Sequence, residues 1–506
     1  MRFEPPSTGD VVAGVSVALV AIPQSLAYAQ LAGMPAQYGL FASALPSLLA
    51  AAFVSSRYLQ TGPVALTSLL TFGALSTLAD PFSEKYIALA ALLAILVGLF
   101  RVFLGLVRLG GVAYLLSEPV LTGFTAGAAI LIISSQLPKV FDVSPDEGGV
   151  LENALAALSA PGDWSWPAIG ISAGVAVIVV AGRRVHNLFP GVLVAVVASL
   201  LLGKAMGYNG SIVGELEGGF LSLGFDFAWG STADLLVPAF AIALVGFAEP
   251  SSIARTFAAE ERLPWNANRE MLSQGVANLA AGISGAFPVG GSFSRSSLNR
   301  LAGATSPWSG AITGAFVLLA LPFTPLLEEL PNAVLGTVVI VAVVKLVKLR
   351  ELFAIVSHSF PQGIVALGTL GATLMFAPRV ERGVLAGIGL AIGVHLYREL
   401  TVSIASERDG DVLTVSPKGV LWFATVPQID SLVRAELAAH PDLDEIVVDL
   451  GGVGRLDYTG AAALARLIEE LSATHLDVYV SNIPPGGSQA AGIHLPTPKD
   501  DHRDRP

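Results

Sequence analysis

Between residues 10 and 400 the chain alternates long apolar runs with short polar connections, and the runs at 87–99, 112–133, 192–202, 333–344 and 384–396 are nearly free of charge. A membrane-spanning helix needs roughly 20 consecutive apolar residues, whereas an amphipathic core helix interrupts its apolar positions every turn. The pattern therefore predicts a polytopic α-helical membrane protein. Fourteen spans are expected, near 10–32, 36–54, 61–79, 85–108, 114–138, 166–182, 188–204, 233–256, 268–287, 291–304, 308–323, 331–345, 360–377 and 381–400. After residue 400 the period changes. Residues 412–415 and 420–423 read as a hairpin, 427–439 as a helix, 445–450 as a buried strand, 459–471 as a helix and 477–481 as a further strand, which makes a small α/β sheet.

Composition sharpens that division. The whole chain is 53% apolar and 13% charged, against about 25% charged in an ordinary soluble domain. Of its net charge of −11, residues 1–400 supply −3 (20 Lys and Arg against 23 Asp and Glu) and residues 401–506 supply −8 (8 against 16). Only the second part is solvated protein, and nothing basic in it is available to meet phosphates, which excludes nucleic acid as a partner. Cysteine is absent, so disulfides, thiolate catalysis and thiolate metal sites are excluded. His186, His358 and His395 are isolated, and no metal site is expected. No P-loop follows a strand, and Gly451-Gly452-Val453-Gly454 lacks the strand–helix setting of a dinucleotide fingerprint. Neither a cofactor, an enzyme nor a primary pump is expected.

The first apolar run holds Pro23 and Gln24 in mid-span and follows one Arg and two acids, so it should remain in the protein rather than be cleaved as a signal. With the N-terminus inside, the inner connections carry Arg57, Arg101, Arg108, Arg183, Arg184, Arg255, Arg262, Arg269, Arg300, Lys345, Lys348 and Arg350, while the outer ones carry Lys85, Lys139, Lys204, Arg379 and Arg382. That asymmetry places both termini in the cytoplasm of an inner (plasma) membrane.

The weakest spans carry the most information. Thr61-Gly62-Pro63-Val64 and Gly290-Gly291-Ser292-Phe293 put helix-breaking residues where a span should begin. Broken backbone at membrane depth is tolerated only when it is buried in protein or lines a cavity. Gly62 and Gly290 lie 228 residues apart, and Pro23-Gln24-Ser25 and Pro250-Ser251-Ser252 lie 227 apart, as one seven-span unit used twice would give. Seven is odd, so the copies have inverted topology. Two half-helices starting near the midplane aim free N–H groups and positive dipole ends at one point, which suits an anion. Arg295 lies just inside the second break, and a cation there costs about 2.5 kcal/mol or more. It is either an anion ligand or a structural partner of Glu249 or of neighbouring carbonyls. Gln24, Tyr28, Thr67, Ser292 and Ser294 are neutral donors, although membrane Ser and Thr commonly bond their own backbone. Glu249, preceded by uncharged residues 242–248, is a candidate proton carrier. Glu118 before Pro119 reads as an interfacial cap.

The stretch Ile22-Pro23-Gln24-Ser25-Leu26-Ala27-Tyr28-Ala29, with Leu31-Ala32-Gly33-Met34-Pro35 and Tyr38-Gly39-Leu40-Phe41, resembles the first-helix signature of the sulfate permease (SulP) family of anion transporters. Thr61-Gly62-Pro63, Gly246-Phe247-Ala248-Glu249-Pro250, Gly291-Ser292-Phe293-Ser294-Arg295-Ser296 and Leu330-Pro331-Asn332-Ala333-Val334-Leu335 extend the likeness to spans three, eight, ten and twelve. The resemblance implies a seven-plus-seven inverted repeat with core and gate domains, a C-terminal cytoplasmic STAS domain and a homodimer in membrane lipid. It also implies an anion site between spans three and ten, each a short strand leading into a half-helix. On this chain that site falls on Gln24, Tyr28, Val64, Thr67, Ser292, Phe293, Ser294 and Arg295. In sodium-using relatives an acid of span eight helps hold the ion, so the coupling ion, proton or sodium, is assigned to Glu249 with Ser251 or Ser252. Val447-Val448-Asp449-Leu450 and Asp457-Tyr458-Thr459-Gly460 resemble the STAS pattern, with Tyr458 where related antagonists of sigma-factor regulation carry a phosphorylatable Ser. Asp457 or Thr459 should cap the following helix, with Tyr458 packed nearby.

Residues 1–400 are thus expected to form a transmembrane anion-transport domain, with repeats at about 10–204 and 233–400, and 401–483 a STAS domain short of its last helix. Pro484-Pro485-Gly486-Gly487 should open a disordered tail to residue 506. The function expected is proton-coupled symport of a small anion such as fumarate, sulfate, bicarbonate or a halide. The competing functions are an uncoupled exchanger or channel, a sodium-coupled symporter, a nucleobase/proton symporter of the same fold, and a membrane anchor for a signalling STAS domain.

Overall fold

The computed structural model describes residues 5–111, 117–145, 148–186, 188–216, 219, 221, 223–400, 403–484 and 496–497. The chain divides into two compact units, Met1–Ala391 and Ile392–Pro506.

The first unit opens with α1 (Thr8–Leu31), started by Ser7, whose hydroxyl accepts from the Asp10 N–H while Asp10 reaches back to the Ser7 N–H. Then come α2 (Gln37–Phe53), the two-residue strand β1 (Thr61–Gly62), α3 (Ala65–Leu75), α4 (Glu84–Leu106), α5 (Glu118–Phe141), α6 (Val150–Ser159), α7 (Trp166–Val185) and α8 (Gly191–Met206). The second half repeats the plan: α9 (Thr232–Glu260), α10 (Ala267–Ile283), β2 (Gly290–Gly291), α11 (Phe293–Leu301), α12 (Trp308–Ala320), α13 (Asn332–Val343), α14 (Leu349–His358), α15 (Phe360–Met375) and α16 (Val380–Leu400). Each of the fourteen expected spans coincides with a helix or with a strand and the helix it enters. At 1.5 Å per residue the 11 residues of α3 and the 9 of α11 reach only about 16 and 14 Å, half of a hydrocarbon core.

The spans sort by contact into two groups. Helices α1–α4 pack with α9–α12, and α5–α8 with α13–α15, while α1 against α13 and α8, and α3 against α5, join the two sets. In the first group α4 and α10 approach closely through glycine, because a Cβ at Gly98, Gly275 or Gly282 would lie within 2.8 Å of the facing helix. Small residues allow such approach where lipid supplies no hydrophobic drive between helices. Large apolar side chains, among them Phe103, Val177, Leu201, Leu319 and Met375, stand exposed, as a bilayer-facing surface requires.

Two helices were not expected. Both α6 and α14 have 10 residues, and each falls between the fifth and sixth spans of its repeat. They are too short to cross and amphipathic enough to read as loops, yet their matched positions extend the internal repeat. One expected connection residue is also corrected: Arg101 lies inside α4 and is fully buried, its guanidinium satisfied by backbone carbonyls rather than by water. Glu118 stands exposed in the first turn of α5.

The second unit is a mixed sheet. Strands β3 (Ser403–Asp409), β4 (Val412–Leu421), β5 (Glu445–Asp449) and β7 (Asp477–Ser481) lie in the order β3-β4-β5-β7, and β6 (Val453–Leu456) pairs with the far end of β4. The β3–β4 pair is antiparallel and the others are parallel. Alternate residues Leu413, Val415, Ile446, Val448, Val478 and Val480 face Ile429 and Val433 of α17 (Val426–Ala439) and Leu464 and Ile468 of α18 (Tyr458–Ser472). The expected hairpin was misplaced. Residues 412–415 and 420–423 do not oppose one another; 412–421 is one strand, and its antiparallel partner is the charged segment 403–409 through a turn at Gly410, whose φ is +63°. Ser416-Pro417-Lys418-Gly419 reads as a turn, but Pro417 falls between the stretches paired to β5 and to β6, where the parallel ladder is interrupted. Asp457 caps α18 by accepting from the Gly460 N–H at 2.6 Å, and Thr459 donates to Asp457 at 2.9 Å. Tyr458 is exposed rather than packed, since the first residue of α18 points away from the sheet. The missing last helix and the tail after 483 fall outside the described residues, save 484, 496 and 497, and the Val480 N–H donates to Pro496 O at 2.7 Å.

Asp449, ending β5, accepts from the Asn482 amide at 2.8 Å and from the Gly451 N–H at 3.0 Å, which hold its carboxyl below the usual carboxylate range. A lowered folded value means that the stabilisation is full above the unfolded value near about 3.9 and drains as pH falls through the folded one. Asp449→Ala should therefore lower the stability of this domain by about 1 kcal/mol at pH 7. The difference from wild type should shrink in thermal melts as the pH is taken below the usual carboxylate range.

Candidate functional site

The two chain breaks meet. Strands β1 and β2 pair antiparallel with Thr61 opposite Gly291 and Gly62 opposite Gly290, so the residues matched by the internal repeat are direct neighbours. Side chains from the surrounding helices hold the crossing. Ser47 of α2 donates to Thr61 O at 2.6 Å, Gln274 of α10 donates to Thr61 Oγ1 at 2.8 Å, and Asn278 fixes Val289 by exchanging hydrogen bonds of 3.0 and 3.1 Å with its backbone. On the next residues the Ser292 N–H donates to Gln60 O at 3.0 Å and the Gln60 N–H to Ser296 Oγ at 2.9 Å.

From this crossing α3 and α11 start in opposite halves of the repeat. Val64, extended at the start of α3, offers no side-chain cap, and the Thr67 hydroxyl donates to Val64 O at 3.2 Å instead of accepting from the first turn. The first N–H groups of α3 are thereby left for an outside acceptor. Ser292 begins α11 with its hydroxyl near the Arg295 N–H at 3.4 Å and near Ser294 Oγ at 3.3 Å.

Arg295 is 1% exposed. Its Nη2 donates to Pro63 O at 2.7 Å, tying α11 to the approach of α3, while Nε has no partner in the protein. Gly62 has φ of +150°, and a Cβ there would sit 3.0 Å from Nη1, so the bare backbone lets the guanidinium lie flat against the strand. Glu249 of α9 is half-buried and faces the Phe293 amide, and its carboxyl and the Tyr28 phenol oxygen both lie within electrostatic reach of Arg295. Among the described residues Glu249 and Arg295 form no direct ion pair, which leaves the guanidinium one edge on a carbonyl and one edge open.

The expected site residues separate on this geometry. Gln24, Tyr28, Val64, Thr67, Ser292 and Arg295 are buried around the crossing, Gln24 with an unpartnered Oε1, and Ser294 is half-buried beside them. Phe293 has its backbone at the site but its exposed ring stacks on Phe257, with centroids 6.3 Å apart. Ser251 is buried and Ser252 exposed. Reading the sequence missed Gln60, whose two amide atoms are buried without partners, and Gln274 and Asn278, polar residues inside span nine whose presence in an apolar run was the available signal.

Residues 8–369 match the family model described as the sulfate permease family, and residues 403–491 match the STAS domain model. The chain is 30% identical to "Sulfate transporter 4.1, chloroplastic" of Arabidopsis thaliana over 94% of its own length and 75% of that protein's. It is 35% identical to "Probable sulfate transporter MT1781" of Mycobacterium tuberculosis over 76% of its length and 69% of that protein's. Its fold matches the murine Slc26a9 anion transporter in the inward-facing state with a TM-score of 0.87 at 20% identity, over 97% of this chain and 87% of that one. The transmembrane domain of the cyanobacterial bicarbonate transporter BicA matches with a TM-score of 0.66 at 22% identity, over 74% of this chain and 97% of that one.

Proposed function

The chain belongs to the sulfate permease family, and on that footing we propose that it is a secondary transporter, not an enzyme, which carries a small anion across a membrane by alternating access. The observation that supports this reading most is the meeting of two half-helix starts at the β1–β2 crossing beside the open edge of buried Arg295. Backbone N–H groups, two positive helix ends and one guanidinium suit an oxyanion or carboxylate, so sulfate, bicarbonate and a small dicarboxylate such as fumarate are the substrate candidates. Tyr28, Ser292 and Ser294 supply neutral donors, Gln24 supplies its amide, and Thr67, whose hydroxyl is turned to Val64 O, lines the site. The names of the sequence relatives favour sulfate.

The coupling ion is a proton carried by Glu249. In a membrane with negative-inside potential each elementary charge moved inward costs about 2.3 kcal/mol per 100 mV, so uptake of an anion needs accompanying cations. A sodium ion would instead require Glu249 and Ser251 as ligands. The transporter sits in the inner membrane with both termini cytoplasmic, as a homodimer, and residues 401–483 form a STAS domain that regulates or assembles it.

Proteoliposomes loaded at neutral pH and given labelled sulfate, bicarbonate or fumarate test the reading under an inward proton gradient, an inward sodium gradient or neither. Accumulation of one anion with the proton gradient alone is expected. Uptake driven only by sodium, or simple equilibration under every gradient, would overturn proton coupling, and no uptake of any anion would overturn the transport reading.

A further inference from the structure

Helix α4 carries a charge that the proposed site does not use. Arg101 is 0% exposed, and its guanidinium donates to three backbone carbonyls: Nε to Ala243 O at 3.1 Å, Nη2 to Ile242 O at 3.1 Å and Nη1 to Val289 O at 3.0 Å. Ile242 and Ala243 belong to α9 about two turns before Glu249, and Val289 directly precedes β2. The side chain therefore pins α4, the helix of Glu249 and one of the paired strands together. No carboxylate lies within ion-pair distance of it among the described residues. A guanidinium is not deprotonated in proteins, so this is a fixed positive charge opposed only by carbonyl dipoles.

Its place relative to the crossing is set by two glycines. A Cβ at Gly246 would lie 2.6 Å from Arg101 Nη2 and 3.2 Å from Thr67 Cγ2, so the guanidinium and the Thr67 side chain flank the same Cα. A Cβ at Gly290 would lie 3.2 Å from Val64 and 3.5 Å from both Thr67 Cγ2 and Gly246 O. Arg101 thus stands against the first turn of α3, across Gly246 from Thr67. Three carbonyls could be bridged by a neutral amide and water; burying a full charge there is costly unless a negative charge shares the low-dielectric surroundings.

We propose that Arg101 is the second fixed positive charge of the anion site, a positioning residue that holds α9 and β2 against α3 and whose field favours the bound anion without touching it. This rests on the anion site proposed above. Coulomb attraction scales with ligand charge, so the field contributes twice as much free energy to a dianion as to a monoanion, and its loss appears as a squared ratio of affinities. Charge selectivity is then set partly from behind the site.

Purified full-length wild type, Arg101→Gln and Arg101→Lys are to be titrated with sulfate and with bicarbonate, reading apparent affinity calorimetrically and folding by thermal melt. The Gln variant should bind bicarbonate about threefold and sulfate about tenfold more weakly, while the Lys variant keeps the wild-type sulfate-to-bicarbonate ratio. Equal losses for the two anions in the Gln variant, or a collapsed ratio in the Lys variant, would overturn the proposal. Where the Gln variant fails to fold, the ratio in the Lys variant decides alone. A wild type that binds neither anion would overturn the anion site and this inference with it, whereas a wild type that binds both, with equal losses in the variants, overturns only the role of Arg101.

Discussion

Replacing Arg295 with alanine is expected to raise the half-saturating concentration of the transported anion by at least about 30-fold while the protein remains folded. Charge-assisted contacts removed from a buried site cost about 2–5 kcal/mol, and each 1.4 kcal/mol is about tenfold. The guanidinium has two tasks that the variants can separate. Nη2 ties Pro63 O, and Nε has no protein partner. Arg295→Lys keeps a charge at the crossing but cannot span both positions, so it should bind the anion better than the alanine variant and worse than wild type. If alanine leaves the half-saturating concentration unchanged in a monodisperse protein, Arg295 is a structural tie and the anion lies elsewhere.

The second large effect concerns Glu249. A proton gradient of one pH unit is worth about 1.4 kcal/mol per proton, enough for about tenfold accumulation of the anion that travels with it. Wild-type vesicles with the acidic side outside should therefore concentrate the anion inside, and raising the external pH to the internal value should abolish the concentration. Glu249→Gln keeps the size and a hydrogen-bonding group beside the Phe293 amide but has no proton to carry. It is expected to equilibrate the anion across the membrane and to lose the gradient-driven accumulation at every pH. Accumulation that survives in this variant, with its pH dependence intact, would move the coupling to another group.

The sequence was most legible where it departed from a plain membrane pattern. Gly62 and Gly290, 228 residues apart, marked the two half-helices, Pro23 and Pro250, 227 apart, supported the repeat from spans one and eight, and in the structure Gly62 and Gly290 are register partners. Inverted symmetry accounts for this when the two breaks lie near the axis that relates the repeats, where equivalent points meet. What stayed hidden depends on depth and direction, which a linear pattern does not encode. Arg101 sits near the end of an apolar run and reads as a loop charge, yet carbonyls of α9 and of the approach to β2 take it into the core. Phe293 occupies a site position, but the first turn of α11 turns its ring toward Phe257. Helices α6 and α14 are shorter than any span signal, and the β3–β4 pairing was concealed because β3 is mostly polar and exposed, so it shows no apolar alternation.

Because the chain has no cysteine, a single introduced thiol can report whether the anion sits between the starts of α3 and α11. Ser294→Cys places a single thiol in the chain, half-buried beside Ser292 and Arg295. The measurement is the rate at which a membrane-impermeant thiol reagent labels that residue in proteoliposomes as the transported anion is raised. Labelling should slow with a midpoint equal to the half-saturating concentration for uptake, and the protection should disappear when Arg295→Ala is added. Labelling that is indifferent to an anion the same vesicles transport would contradict that placement.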